Sequence, residues 1–129
     1  MIEAYGSQAE LLKVLASPVR LQILDILRDG EQCVCHLEAV LGLRQAYVSQ
    51  HLMVLRKAGL VVDRKDGLRV YYRVQDPGIY GVLDVARSLA SRQAQKKGIS
   101  LSFTLPDKAR HGGCPCPNCA GQVSGAYAQ

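Results

Sequence analysis

Tryptophan is absent from these 129 residues and phenylalanine occurs once, so the core of the fold must be aliphatic. Apolar residues make up 48% of the chain, enough for one core and one domain but not two. No apolar run approaches the ~18–20 residues that cross a bilayer. Residues 1–10 carry acids and polar groups where a secretory signal would place a basic stretch and an apolar one. The chain is therefore expected in the cytoplasm, with no membrane partner. No histidine falls between His51 and His111. Cysteine is present but odd in number, at five, which in a chain with no visible signal argues against a disulfide framework.

Charge is present in both signs but unevenly. The total is +5; residues 1–43 carry −3, and residues 44–73 carry +5 through Arg44, Arg56, Lys57, Arg64, Lys65, Arg69 and Arg73 against Asp63 and Asp66. A basic segment behind an acidic one suggests a surface that meets a polyanion, although any single one of these residues reads as well as a solvated charge.

Hydrophobic periodicity predicts short helices and one hairpin. A helix is expected over 9–16, stopped at Ser17-Pro18. Pro18 suits a first helical turn, with Val19, Leu21, Ile23, Leu24, Ile26 and Leu27 following at helical spacing up to Gly30. A short helix over 34–41 closes at Gly42, and another runs over 44–58 with Val48, Leu52 and Leu55 on one face. After Gly59 the period changes. Leu60-Val61-Val62 and Val70-Tyr71-Tyr72-Arg73-Val74 flank the turn dipeptide Asp66-Gly67, a hairpin signal. Asp76-Pro77 opens a last helix, whose periodicity fades near Gln93. The expected organisation is a domain over 1–93 and a flexible, cysteine-containing tail over 94–129.

This order is mainly α with a small β-hairpin, a winged helix–turn–helix. The helix over 44–58 would lie in the major groove of double-stranded DNA, offering Arg44, Gln45, Tyr47, Ser49, Gln50 and His51. Gln pairs with adenine, Arg with guanine, and Ser or Tyr with phosphate. The hairpin tip, with Arg64, Lys65 and Arg69, would reach the neighbouring backbone or minor groove. A polar helix histidine such as His51 is more often surface or phosphate-facing than a metal ligand. Tyr71 and Tyr72 read as hairpin packing residues.

Four segments, in order, carry a family resemblance: Ala16 through Leu24, Glu31 through Leu37, Val48 through Val61, and the wing Gly67-Leu68-Arg69-Val70-Tyr71-Tyr72-Arg73. Over roughly residues 9–92 the chain resembles the ArsR/SmtB family of metal-sensing repressors. The resemblance implies a homodimer paired through its first and last helices, bound to an inverted-repeat operator and released by an inducer. Half-sites in such dimers lie about one DNA turn apart, ~34–36 Å.

Cys33-Val34-Cys35 stands at the start of the helix that leads the helix–turn–helix. A helix N-terminus favours the thiolate that binds metal. Residues two apart on a regular helix do not face each other, so one ion held by both sulfurs would require an unwound first turn. The plain alternative is two buried cysteines acting as small hydrophobes. In arsenite sensors of the family this Cys-x-Cys binds trivalent arsenic or antimony, which prefers three thiolates. Some members carry a third cysteine three residues on, where this chain has Glu38. Cadmium and lead sensors complete the pair with N-terminal cysteines, absent here. Zinc sensors use Asp-x-His with a later His on the last helix; Asp84-Val85-Ala86 lacks the histidine, so that site is expected to be missing.

Cys114, Cys116 and Cys119 follow His111 in a Gly/Pro-rich tail, spaced Cys-x-Cys-x2-Cys. Three thiolates suit soft ions, and His111 would be a fourth ligand for a structural zinc. The alternative is a disordered tail with incidental cysteines. About twenty residues separate the last helix from Cys114, so reach permits the tail to complete the Cys33/Cys35 site or to form its own. The expected inducer is trivalent arsenic or antimony, ahead of cadmium, lead or zinc. A thiol redox sensor on the same fold competes, as does a constitutive DNA-binding protein with a structural zinc tail. An enzyme is not expected, because no nucleophile is paired with a base and no strand is read before the Cys-x-Cys.

Overall fold

The computed structural model describes residues 3–105. Helix α1 (Ala4–Leu15) starts five residues earlier than the apolar period suggested, and Ala16 and Ser17 separate it from α2 (Pro18–Ile26). Ser17 caps α2, its Oγ accepting from the Arg20 amide at 3.3 Å, and Pro18 supplies a preset φ where no amide donor is needed. A 3-10 turn over Leu27–Asp29 ends the segment at Gly30, whose φ of +133° is closed to L side chains without strain. Strand β1 (Gln32–Cys33) comes next, then α3 (Val34–Leu41), α4 (Gln45–Lys57), β2 (Val61–Asp66), β3 (Arg69–Val74) and α5 (Ile79–Gln95).

Strand β1 corrects the expectation that no strand precedes the cysteine pair. It adds to the free edge of the hairpin, giving a three-stranded antiparallel sheet of order β1-β3-β2. Gln32 pairs with Tyr72 and Cys33 with Tyr71 on one side of β3; Asp63 pairs with Tyr72 and Arg64 with Tyr71 on the other. Two residues carry no alternation, so local pattern could not reveal this strand. The hairpin turn also lies one residue later than expected. Asp66 pairs with Arg69, leaving Gly67 and Leu68 as the loop, with Gly67 at φ +62° as the first central residue.

The core is aliphatic. Ile23 and Leu24 from α2, Leu37 and Val40 from α3, and Val48, Leu52 and Leu55 from α4 are almost fully buried, with Val61 and Tyr72 closing it from the sheet. The apolar spacing on α4 thus packs the helix onto α2 and α3 and turns its remaining faces outward. Tyr80 ties α5 to α2 by donating its hydroxyl to the Leu24 carbonyl at 2.7 Å, and burial pushes the phenol up to about 12. The expected domain boundary at 93/94 falls inside α5, and Leu105 packs against the core. Among the described residues no helix is long and apolar enough to cross a membrane.

Candidate nucleic-acid interface and thiol site

Helix α4 begins where Arg44 takes an extended conformation, and Arg44, Gln45, Tyr47 and Gln50 are exposed on its first turns. Ser49 and His51 are partly covered. All four carry hydrogen-bonding groups of the kind that major-groove reading uses. His51 is placed differently. Its Nδ1 lies 3.1 Å from Arg20 NH1, and the Tyr47 ring meets its ring edge-on at 4.7 Å between centroids. Desolvation, and then the Arg20 charge, hold the imidazole below its usual range, and Nε2 is buried with no hydrogen-bond partner among the described residues. Arg20 is itself fixed, its Nε donating to the Val14 carbonyl at 2.6 Å. His51 thereby supports α4 from behind. Sequence reasoning did not single out Arg20, because its partner is 31 residues away.

The wing residues also divide. Lys65 is exposed, Leu68 stands at the tip and Arg69 is partly covered. Arg64 is engaged by the protein itself. Its Nε and NH2 donate to the two Glu31 carboxylate oxygens at 3.2 and 2.7 Å, and its guanidinium lies 4.6 Å from the centre of the Tyr71 ring. The Arg64 hydrogen bonds hold the Glu31 carboxyl below the usual carboxylate range. Tyr71 and Tyr72 are both buried, as hairpin packing residues should be.

At the thiol pair the structure corrects two expectations. Cys33 is not in the helix; it is the N-cap of α3, with extended φ −79° and ψ 156°, and its sulfur accepts from the His36 amide at 3.2 Å. Because its Cα–Cβ bond leaves the helical path, Cys33 and Cys35 bring their sulfurs together with α3 intact, and no unwound turn is required. The two are joined as a disulfide across a Cα–Cα distance of 5.3 Å. An odd count argued against a disulfide framework, yet this local link forms, since it needs only the extended cap and not a distant partner.

Cys33 is buried and Cys35 partly open, on a groove of about 210 Å³. Glu38 lines the same groove, Gln45 and Ser49 reach it from α4, and Leu68 and Arg69 from the wing. The cysteine pair therefore opens directly between the two elements expected to touch DNA. Among the described residues no three His, Cys, Asp or Glu side chains are grouped to hold an ion. Cys114, Cys116 and Cys119 lie outside the described residues.

Residues 17–62 match the model of the bacterial regulatory protein arsR family. The uncharacterized HTH-type transcriptional regulator Rv0081 of Mycobacterium tuberculosis is 39% identical over 89 residues, 68% of this chain and 78% of that one. Its crystal structure superposes with a TM-score of 0.68 at 35% identity, covering 77% of this chain and all (100%) of that one. The arsenic resistance transcriptional regulator ArsR1 of Pseudomonas putida is 39% identical over 92 residues, 65% of this chain and 72% of that one. The homodimeric winged helix–turn–helix domain of Mb0332 from Mycobacterium bovis gives a TM-score of 0.60 at 32% identity, over 67% of this chain and 80% of that one. With its element order, its exposed α4 and its wing, this chain belongs to the ArsR/SmtB family of DNA-binding, non-enzymatic transcriptional repressors.

Proposed function

We propose that this chain works in the cytoplasm as a homodimeric repressor, binding an inverted-repeat operator through α4 and the wing and leaving it when Cys33 and Cys35 take up a trivalent metalloid. Arsenic or antimony is the first candidate, ahead of cadmium, lead or zinc. The observation that carries this reading is the convergence of both sulfurs on a groove shared with Gln45, Ser49 and the wing tip. Soft thiolates suit soft ions, and with Cα atoms 5.3 Å apart the reduced pair would need little backbone movement to hold one ion. Arg44, Gln45, Tyr47, Ser49 and Gln50 are assigned to base and phosphate contact, Lys65 and Arg69 to the backbone beside the groove, and His51 to support of α4. The resemblance to the arsenic resistance regulator of Pseudomonas putida supports the choice of inducer. When bound, the metalloid would supply rigid bonds to both sulfurs, replacing two free thiols by one fixed unit against the DNA-reading surface. The tail cysteines Cys114, Cys116 and Cys119 are the candidate source of a third thiolate.

The test is binding of arsenite to the reduced protein, followed by thiolate-to-arsenic ultraviolet absorption. One equivalent per protomer is expected. It is lost in the Cys33→Ser/Cys35→Ser double variant, and lowered absorption in the triple tail variant identifies the tail as third ligand. Undiminished binding in the double variant refutes the site.

One observation favours a second reading, a redox switch: the Cys33–Cys35 disulfide itself. Hydrogen peroxide would take two electrons and two protons from the thiols, forming the S–S bond and two waters. Release of DNA by peroxide from metal-free protein, reversed by a dithiol, would select this reading over the metalloid.

A further inference from the structure

Cys33, Tyr71 and Arg64 stand directly opposite one another on β1, β3 and β2. Residues opposed across antiparallel strands share a face, so these three form one row over the sheet. Tyr71 is the middle of the row. The cysteine pair packs against it from one side, and the Arg64 guanidinium lies over its ring from the other. Glu31, two residues before Cys33, then closes the row by forking onto Arg64. The segment 31–33 thus touches the wing twice, through Cys33 on Tyr71 and through Glu31 on Arg64. It hangs between Gly30, at a φ that L residues avoid, and the N-terminus of α3.

A guanidinium offers a planar fork to one carboxylate or phosphate at a time, so Glu31 and a DNA phosphate compete for Arg64. Half the Arg64 side chain is exposed, at 51%, and exposed ion pairs are weak, so the competition is close enough to be decided by small movements. We propose that Glu31 is a positioning residue that withholds Arg64 from the DNA backbone when Cys33 and Cys35 are joined, and so carries the state of the cysteine pair to the wing. This rests on the reading of that pair as the switch. Asp66, 3.7 Å from Arg64 NH1, sits on the same strand and assists the hold.

The test compares wild type, Glu31→Gln, Arg64→Gln and the double variant, each as the disulfide and after reduction by a dithiol. The reductant delivers two electrons and two protons to Cys33 and Cys35 and itself becomes a cyclic disulfide. The readout is the slope of log affinity against log salt on one duplex selected from random DNA. In the disulfide form Glu31→Gln is expected to bind several-fold more tightly, with a slope steeper by about 0.9, the signature of one added phosphate contact. Arg64→Gln should leave that slope unchanged and should cancel the gain in the double variant. After reduction the gap between wild type and Glu31→Gln should shrink.

An unchanged slope in Glu31→Gln, a gain that survives loss of Arg64, or a gap equal in both redox forms would each overturn the proposal. Release of wild type by arsenite or peroxide is scored separately. Release without any Glu31 effect keeps the switch and removes this residue from it. A Glu31 effect on DNA that is blind to the cysteines removes the link to the switch.

Discussion

His51 on α4 and Arg20 on α2 meet at 3.1 Å, ring nitrogen to guanidinium, which ties α4 to α2 in the body of the protein. Desolvation first, and then the Arg20 charge, hold the imidazole below its usual range.

A pH dependence follows. The native value for His51 lies below 6.5, first by desolvation and then by Arg20, so the unfolded chain takes up this proton more readily than the native one. The stability gained from a neutral His51 is fully present above about pH 6.5 and is lost as pH falls through the lower native value. Urea midpoints for wild type and His51→Gln, measured on either side of that window, should show a steeper acid loss in wild type. Parallel losses would mean that His51 is not the titrating group.

Under the proposed function, Gln45 reads a base and Lys65 holds a phosphate. Gln45, at the first turn of α4, is placed for a base edge; Gln45→Ala should cost about 1–3 kcal/mol of discrimination between operator and mismatched sites. Lys65 is displayed on the wing, and Lys65→Ala should weaken all sequences alike and flatten the salt slope by about 0.9. Fluorescence anisotropy on matched and mismatched duplexes checks both, and the reverse pattern would exchange the assignments.

Helices α1 and α5 display Tyr5, Leu12, Val85 and Leu89 to solvent, and Val85 is 69% exposed. Exposed apolar side chains of this size are the kind a second copy would cover. Val85→Glu should leave the protomer folded, while sedimentation shifts from dimer to monomer and affinity for a two-half-site operator collapses. A dimer of unchanged stability would move the interface elsewhere.

As N-cap of α3, Cys33 stabilises the helix through its sulfur. In the reduced state Cys33→Ser keeps an acceptor at the cap and should stay near wild-type stability. Cys33→Ala removes it and should lose about 0.5–2 kcal/mol by denaturant unfolding. Equal stability of the two variants would deny the cap.

What the sequence displayed was whatever repeats locally. The 34–41 helix matched α3 (Val34–Leu41), because apolar spacing and Gly42 mark both its face and its end. Gly42 takes φ +65°, the left-handed stop that glycine favours. The unwound turn is what regular helix spacing predicts, but Cys33 stands just before the 34–41 helix; as an extended cap it frees its side chain to meet Cys35. Arg64 reads as a DNA contact by charge; that it also pairs with Glu31, 33 residues away, no local pattern announces. The same distance problem hid Arg20. Asp66-Gly67 read as the turn dipeptide, but the register of β2 on β3 set the loop at Gly67-Leu68.

The most direct test of the account is anisotropy of a labelled inverted-repeat operator, selected from random DNA, with arsenite titrated into reduced wild type and the Cys33→Ser/Cys35→Ser variant. Arsenite is expected to release wild type and to leave the double variant bound at its starting affinity. Release of both alike, or retention of both through saturating arsenite, antimonite, cadmium and peroxide, would contradict the claim that this cysteine pair governs DNA binding.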